Sequence, residues 1–327
     1  MGIKDLNKFL RKMCKDSIKF VSITDLSGKK IAVDISIYMY KFHAENALIE
    51  NIYLMLSIFR HYDITPIFVF DGKTPTEKKA LLEKRKADKK SAEKEYNKLK
   101  KELTENKDID EEDKQEIISN MDLLKKQFVY ITREKIEEVK ALIRAYGATY
   151  YDAYGEADEL CAHLVLKNKV WACLSEDMDM FVYGCHRVIR YISLLNHTIV
   201  LYDTIEILNT LGMTQKEMRE ICVISGTDYN IYDEHNNRHN LHETLKLFNN
   251  FKKQEEETNF YDWLHKNTDY IDNYDLLKNI YNLFDLKNCA GGNEIIDNIN
   301  IINGAILHEQ IEEILKIDGF IFPSKKW

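Results

Sequence analysis

At 327 residues, with 45% hydrophobic and 31% charged side chains, the chain can build one large domain or two modest ones and is not compositionally disordered. A net charge of −8 argues against binding of nucleic acid by the chain as a whole, so any such contact has to come from local basic patches. No apolar run is long enough to span a membrane, the charged start MGIKDLNKFLRKMCKD lacks the apolar centre of a secretion signal, and the Ser or Thr of a myristoylation site is missing.

In chain order, apolar periodicity predicts a helix over Ile3–Met13, a strand over Lys30–Asp34 (KIAVD), a helix over Ile49–His61 and a strand over Pro66–Asp71 (PIFVFD). Residues 76 to about 127 are almost all charged and helix-forming, the pattern of a solvated helical hairpin or arm. A helix follows over Thr132–Tyr146, with Thr132 as N-cap and Gly147 just past its end. Then come a strand over Ala148–Tyr151, a helix over Glu156–Lys167, strands over Val170–Leu174 and Arg187–Ile192, and a helix over Thr214–Ser225. From 230 the chain turns polar and Asn-rich, with short helices expected at Leu241–Phe251, Phe260–His265, Asp275–Phe284 and Leu307–Lys316. Alternating strands and helices predict an α/β fold with a mostly parallel central sheet flanked by helices. The six cysteines (14, 161, 173, 185, 222 and 289) form no CxxC pair and read as reduced core thiols, which suits a cytoplasmic or nuclear protein. The bias toward Asn, Ile, Lys and Tyr, with only 3 Pro, is that of an AT-rich genome such as a parasite's or a large DNA virus's.

Acidic residues collect where strands end. KIAVD ends at Asp34, PIFVFD at Asp71, and VWACL runs into Ser175-Glu176-Asp177-Met178-Asp179. Glu156 and Asp158 open the helix just after the Ala148–Tyr151 strand, and Asp228 follows the apolar helix that ends in ISG. Singly, each has an ordinary explanation: acids suit a helix N-terminus, and Asp is a common turn residue. Parallel strands, however, carry all seven to one crevice at their carboxyl ends, where ligands of open α/β sheets collect. Seven converging carboxylates do not all ionise at neutral pH without cations. An oxygen-only shell points to Mg²⁺ or Mn²⁺, and two such ions about 4 Å apart form a site for phosphodiester hydrolysis. Other phosphate motifs fail: Gly72-Lys73-Thr74 resembles a P-loop tail, but Ile67 stands where its first Gly belongs, and Asp34-Ile35-Ser36 lacks the second Asp of a phosphoaspartate enzyme.

MGIKDLNKFL, GKKIAVDISIYMYKF, FVFDGKTP, YGEADELCAHLV, LSEDMDMFVYG and ICVISGTDYN, in this order over residues 1–230, resemble the flap endonuclease (XPG-type) family of structure-specific 5′ nucleases. The resemblance implies a PIN-like nuclease domain over 1–230 with a charged helical arch over about 74–130, and a divergent helical DNA-binding part over 231–327. It implies two Mg²⁺ ions, with Mn²⁺ as a substitute, held by Asp34, Asp71, Glu156, Asp158, Asp177, Asp179 and Asp228. Asp158 stands where the family has Glu, one methylene longer, and the shorter arm favours a bridging water. The resemblance also implies that Lys78 and Arg85 lean from the arch over the scissile phosphate, where cations offset transition-state charge. Seven residues apart, they share a helix face about 10 Å apart in rise. Lys73, Lys84, Lys86, Lys89, Lys90 and Lys94 would add a basic path for a single strand, and Tyr40 matches an aromatic that stacks on a base near the cut, although it also reads as an ordinary half-buried helix tyrosine. Gly2 matches the family segment close to the bent junction. The implied activity is 5′-flap endonuclease and 5′–3′ exonuclease action on branched DNA, in replication, repair or recombination.

The chain departs from the family after SGTDYN, where a Gly-Ile-Gly type hairpin usually binds duplex DNA, often with K⁺. Residues 231–242 (IYDEHNNRHNLH) contain neither Gly nor Pro, so a polar loop would take over that contact. His235, His239 and His242 fall at helical spacing for zinc, but the surrounding Asn residues favour a loop. FIFPSKKW lacks a sliding-clamp peptide, and the oligomeric state is open. The competing expectations are the same chemistry on another junction or on RNA, and a non-catalytic nucleic-acid-binding scaffold. The clustered acids argue against the scaffold.

Overall fold

The computed structural model describes residues 3–105, 117–118, 120–121, 123–230, 239–254, 259–286 and 296–322. Its centre is a seven-stranded sheet in the order β1-β7-β6-β5-β2-β3-β4. The strands are β1 (Ile18–Ser22), β2 (Lys30–Asp34), β3 (Thr65–Phe70), β4 (Thr149–Asp152), β5 (Ala172–Leu174), β6 (Arg187–Ser193) and β7 (Thr198–Asp203). β2 through β6 run parallel, and β1 and β7 add an antiparallel margin at one edge. All five expected strands are present, β2 with the expected bounds and the others with ends shifted by at most two residues. β1 and β7 were not expected.

Alternation along β2 explains why the sheet is buried on both sides. Ile31 and Val33 face one apolar cluster and Ala32 faces the other. The first face is covered by helices Ile35–Ala44, Leu48–His61, Arg133–Ala145 and His308–Ile317. The opposite face is covered by Leu6–Met13, Ala157–Leu166, Asp179–Tyr183 and Gln215–Ser225. The later helices Leu241–Lys252, Phe260–Asn267 and Tyr274–Leu283 join that second cluster through Phe248, Phe260, Leu264 and Phe284. The residues after 238 therefore reach both faces of the sheet. Between them, Gly304 donates to Gly147 O at 2.7 Å and Arg60 reaches Gly304 O at 2.6 Å, which ties the strap near residue 304 to the end of helix Arg133–Ala145.

Local chemistry sets the helix ends. Thr132 accepts from the Lys135 amide, and Thr214 and Glu217 form a capping box; each cap of this kind contributes about 1 kcal/mol. Gly147 follows the first of these helices at φ 74°, a left-handed conformation that glycine adopts without strain. The charged segment begins as one 27-residue helix, Lys79–Glu105, and Phe128 returns edge-on to Tyr96 of that helix at 5.4 Å. Much of the remaining arm, 106–116 included, lies outside the described residues, as do Gly2 and the family-divergent stretch 231–238 with His235. His239 precedes the helix that starts at Leu241, buried with Nε2 2.6 Å from Tyr270 O, whereas His242 is exposed. The helical His face therefore does not form between these two. The five described cysteines are buried and free, and among the described residues no helix is long and apolar enough to cross a membrane.

Candidate active site

The parallel strands deliver their acids to one edge. Asp34 is the last residue of β2, Asp71 the first after β3, and Asp177 and Asp179 lie on the turn and helix that leave β5. Glu156 is the N-cap of Ala157–Leu166 with Asp158 in its first turn, and Asp228 follows Gln215–Ser225. Asp34, Asp158, Asp177 and Asp179 are buried, Glu156 and Asp228 half-buried, and Asp71 exposed.

The edge is held by short polar links. Ser175 Oγ donates to Asp34 Oδ2 at 2.9 Å and accepts from the Asp177 amide at 3.1 Å. The Asp179 amide donates to Asp177 Oδ1 at 3.0 Å, and the Ala157 amide to Asp71 Oδ1 at 2.9 Å. Gly72 allows β3 to leave the sheet here, since a Cβ at that position would sit 1.8 Å from Ala153 O. Burial, then the charges of Asp71 and Asp177, pushes the Asp34 carboxyl up to about 8. Burial first and neighbouring carboxylates second also raise Asp158 and Asp179, and burial with Asp228 raises Asp177. The carboxylates are thus close enough to oppose one another's ionisation.

Two cations from the arch enter this edge. Lys78, only 6% exposed, places Nζ 2.7 Å from Glu156 Oε2 and 4.5 Å from the Tyr229 ring centre. Burial alone would lower its pKa, but Asp158 and Glu156 outweigh it and hold the ammonium charged. Arg85 reaches Asp228 Oδ2 at 2.9 Å. Tyr229 OH donates to Glu156 Oε2 at 2.7 Å, and burial together with that carboxylate raises the phenol.

Other expected contacts sit farther out. Tyr40 is 46% exposed, and Lys89 lies 5.0 Å over its ring while donating to Val129 O. Lys73, Lys84, Lys86, Lys90 and Lys94 are exposed. Ser175 and Tyr229 are contributors that pattern reading passed over; both adjoin acids in the motifs SEDMD and GTDYN. Glu176, the third acid of SEDMD, turns the other way: Oε1 accepts from the Tyr191 amide at 2.6 Å and Oε2 lies 3.5 Å from Arg190 Nε.

The donor set fits a hard divalent cation. It is all oxygen, and both carboxylate oxygens of Asp179 are buried without a hydrogen-bond partner, an arrangement that is costly unless a cation meets them. Among the described residues no three acid, His or Cys side chains are gathered as a finished metal cluster, and Glu156 and Asp228 are engaged instead by Lys78 and Arg85.

Comparison with known proteins agrees with this architecture. Residues 1–92 match the XPG N-terminal domain and residues 147–228 the XPG I-region. The chain is 30% identical over 247 residues to flap endonuclease 1 of Glossina morsitans morsitans, covering 70% of this chain and 61% of that one. It is 30% identical over 234 residues to flap endonuclease 1 of Methanococcus aeolicus, covering 66% of this chain and 68% of the relative. The catalytic core of Rad2 in complex with DNA substrate superposes with a TM-score of 0.65 at 21% identity, over 97% of this chain and 94% of that core, and so shares its PIN-like nuclease fold. The first XPG segment runs into the arch helix and includes Lys78 and Arg85, the two segments between them carry every acid of the edge, and on these matches the chain belongs to the XPG-type flap endonuclease family.

Proposed function

We propose that the chain is a divalent-metal-dependent, structure-specific 5′ nuclease that hydrolyses DNA phosphodiesters at 5′ flaps and related branched junctions, with 5′–3′ exonuclease action, in replication, repair or recombination. The observation that carries this reading is the gathering of acids at the carboxyl ends of the parallel strands, with both Asp179 oxygens buried and unpartnered and with Lys78 and Arg85 of the arch paired to Glu156 and Asp228. Asp34, Asp71, Glu156, Asp158, Asp177, Asp179 and Asp228 would hold two Mg²⁺ ions, or Mn²⁺ in their place. Such ions, when bound, activate water and stabilise charge on the attacking and leaving oxygens.

The chain's own residues prepare the rest. Ser175 fixes the orientation of Asp34 and of the turn that carries Asp177. Lys78 and Arg85 neutralise Glu156 and Asp228 before substrate arrives, and a scissile phosphate entering under the arch competes for them with a charge that grows in the transition state. Lys78 then supplies a point charge, and Arg85 a two-pronged donor, where negative charge builds. The exposed lysines of the arch helix offer a path for a single strand, and Tyr40 a stacking face. DNA as partner is supported by the relatives named flap endonuclease and by the Rad2 core described with DNA substrate.

The test is single-turnover cleavage of a 5′-flap duplex, a nicked duplex, a Holliday junction, single-stranded DNA and an RNA strand, each with Mg²⁺ or EDTA. Metal-dependent cutting beside the flap junction is expected. Cutting of another member first would keep the metal chemistry and overturn the flap preference. No cutting of any member by folded protein would overturn the nuclease reading.

A further inference from the structure

The opposite end of the same strands is also concave. A cavity of about 290 Å³ opens at the amino ends of β2, β5 and β6 and is lined by Lys29, Lys30, Lys169, Trp171, His186 and Arg187 among others. That volume is at the floor of the roughly 300–1,000 Å³ typical of small-molecule sites. β2 begins here at Lys30 and ends at Asp34 in the acidic edge, so at about 3.3 Å per residue the two sites are some 13 Å apart.

The charge of this cavity runs against that of the chain. Four permanent cations, with His186 beside them, surround one small space in a protein of net charge −8. Lys29, Lys169 and Arg187 are half-buried, so their repulsion is screened less than on an open surface. Among the described residues the only acid paired with them is Asp297, whose side chain is 74% exposed and 3.9 Å from Lys169. Trp171 holds two of the cations in place, Lys29 at 5.6 Å and Arg187 at 5.0 Å from its ring, while Lys169 Nζ donates to Asp297 O at 3.1 Å. Trp171 is itself anchored, its backbone amide donating to Lys30 O at 2.7 Å. The result is a set of preorganised donors, one of them a guanidinium fork that matches phosphate oxygens in pairs.

We propose that this cavity is a phosphate-binding site, separate from the acidic edge, that takes a compact phosphorylated anion of about the size of pyrophosphate or a nucleoside monophosphate. The inference does not depend on the nuclease reading. It is tested by titrating the full-length protein with inorganic pyrophosphate and with deoxyadenosine monophosphate, in EDTA so that no metal carries the anion to the acidic edge. Binding is read by calorimetry and by tryptophan fluorescence. Saturable binding is expected for wild type and for D179N, weakened about tenfold or more in R187Q and K29Q. K30Q, at an exposed position, provides the same readout without touching the core, and circular dichroism checks that each variant is folded. Absence of saturable binding up to about 1 mM, or equal binding by wild type and folded variants, would overturn the proposal. A short single-stranded oligonucleotide that displaces pyrophosphate with the same variant sensitivity would identify the phosphate as that of a nucleic-acid backbone. Failure to displace it would assign the site to free phosphorylated molecules.

Discussion

Asp179 shows how much a single side chain can say. It is 1% exposed, lies beside Asp177, and neither of its oxygens has a hydrogen-bond partner. Without a cation such a group costs roughly 1–3 kcal/mol. Replacing it with alanine is therefore expected to raise the thermal midpoint in EDTA by a few degrees while abolishing cleavage and the Mg²⁺-induced gain in stability. Calorimetry with and without metal checks this, and a D179A protein less stable than wild type in EDTA would refute it. Lys78 carries the complementary expectation. Its ammonium is buried against Glu156, so K78A should lower the single-turnover rate about 10²- to 10³-fold with a much smaller change in DNA affinity. Equal losses in rate and affinity would reduce Lys78 to a binding residue.

At the scale of elements, the strand ends decide which acids meet. β5 is only three residues long and wholly buried, and the Ser175–Asp179 turn that leaves it sends Asp177 and Asp179 into the edge and Glu176 toward β6. Helix Gln215–Ser225, which leads to Asp228, holds a different acid in its packed face. Glu220 is 4% exposed; burial pushes its carboxyl up to about 7, with Glu217 and Asp262 adding to the rise and Lys216, 3.9 Å away, opposing it. A raised carboxyl stabilises the fold fully below the unfolded value of 4.5, and that contribution is lost as pH rises through about 7. Wild type should thus lose on the order of 2–3 kcal/mol between those limits at this residue, and E220Q should lose correspondingly less in urea unfolding measured across that range. Parallel pH profiles for the two proteins would show that Glu220 is not the group responsible.

For the whole molecule, the residues after 238 are part of the core. Phe248, Phe260, Leu264 and Phe284 share one apolar cluster with Cys222 and Ile224, while Ile311 and Leu315 pack on the far face of the sheet with Val139 and Leu142. Each large side chain buried in this way contributes about 1.5–3 kcal/mol. Truncation after residue 230 is accordingly expected to abolish cooperative unfolding, and the full chain to unfold in a single transition followed by fluorescence and circular dichroism together. A truncated protein with a sharp transition of its own would show that residues 1–230 fold alone.

Much of this was legible in the one-dimensional pattern because it depends on local rules. Strands buried on both faces read as unbroken apolar runs, and so KIAVD, PIFVF and ACL stood out. Thr132 and Gly147 marked helix ends because capping acts over three or four residues. Parallel order then placed the acids at one edge. β1 escaped notice because it is a marginal strand whose Lys19 and Phe20 are exposed, so no buried stripe marks it. Helix Ile35–Ala44 escaped because it is apolar nearly all round, which erases the 3.6-residue period. The pairing of Lys78 with Glu156 and of Arg85 with Asp228, the turning away of Glu176, and the gathering of Lys29, Lys169 and Arg187 around Trp171 were decided only in three dimensions. Apart from Lys169 and Trp171, which are near neighbours in the chain, these partners lie between 14 and 158 residues apart, and no local periodicity encodes which distant side chains will share a cavity or which way a carboxylate will point once the sheet has closed.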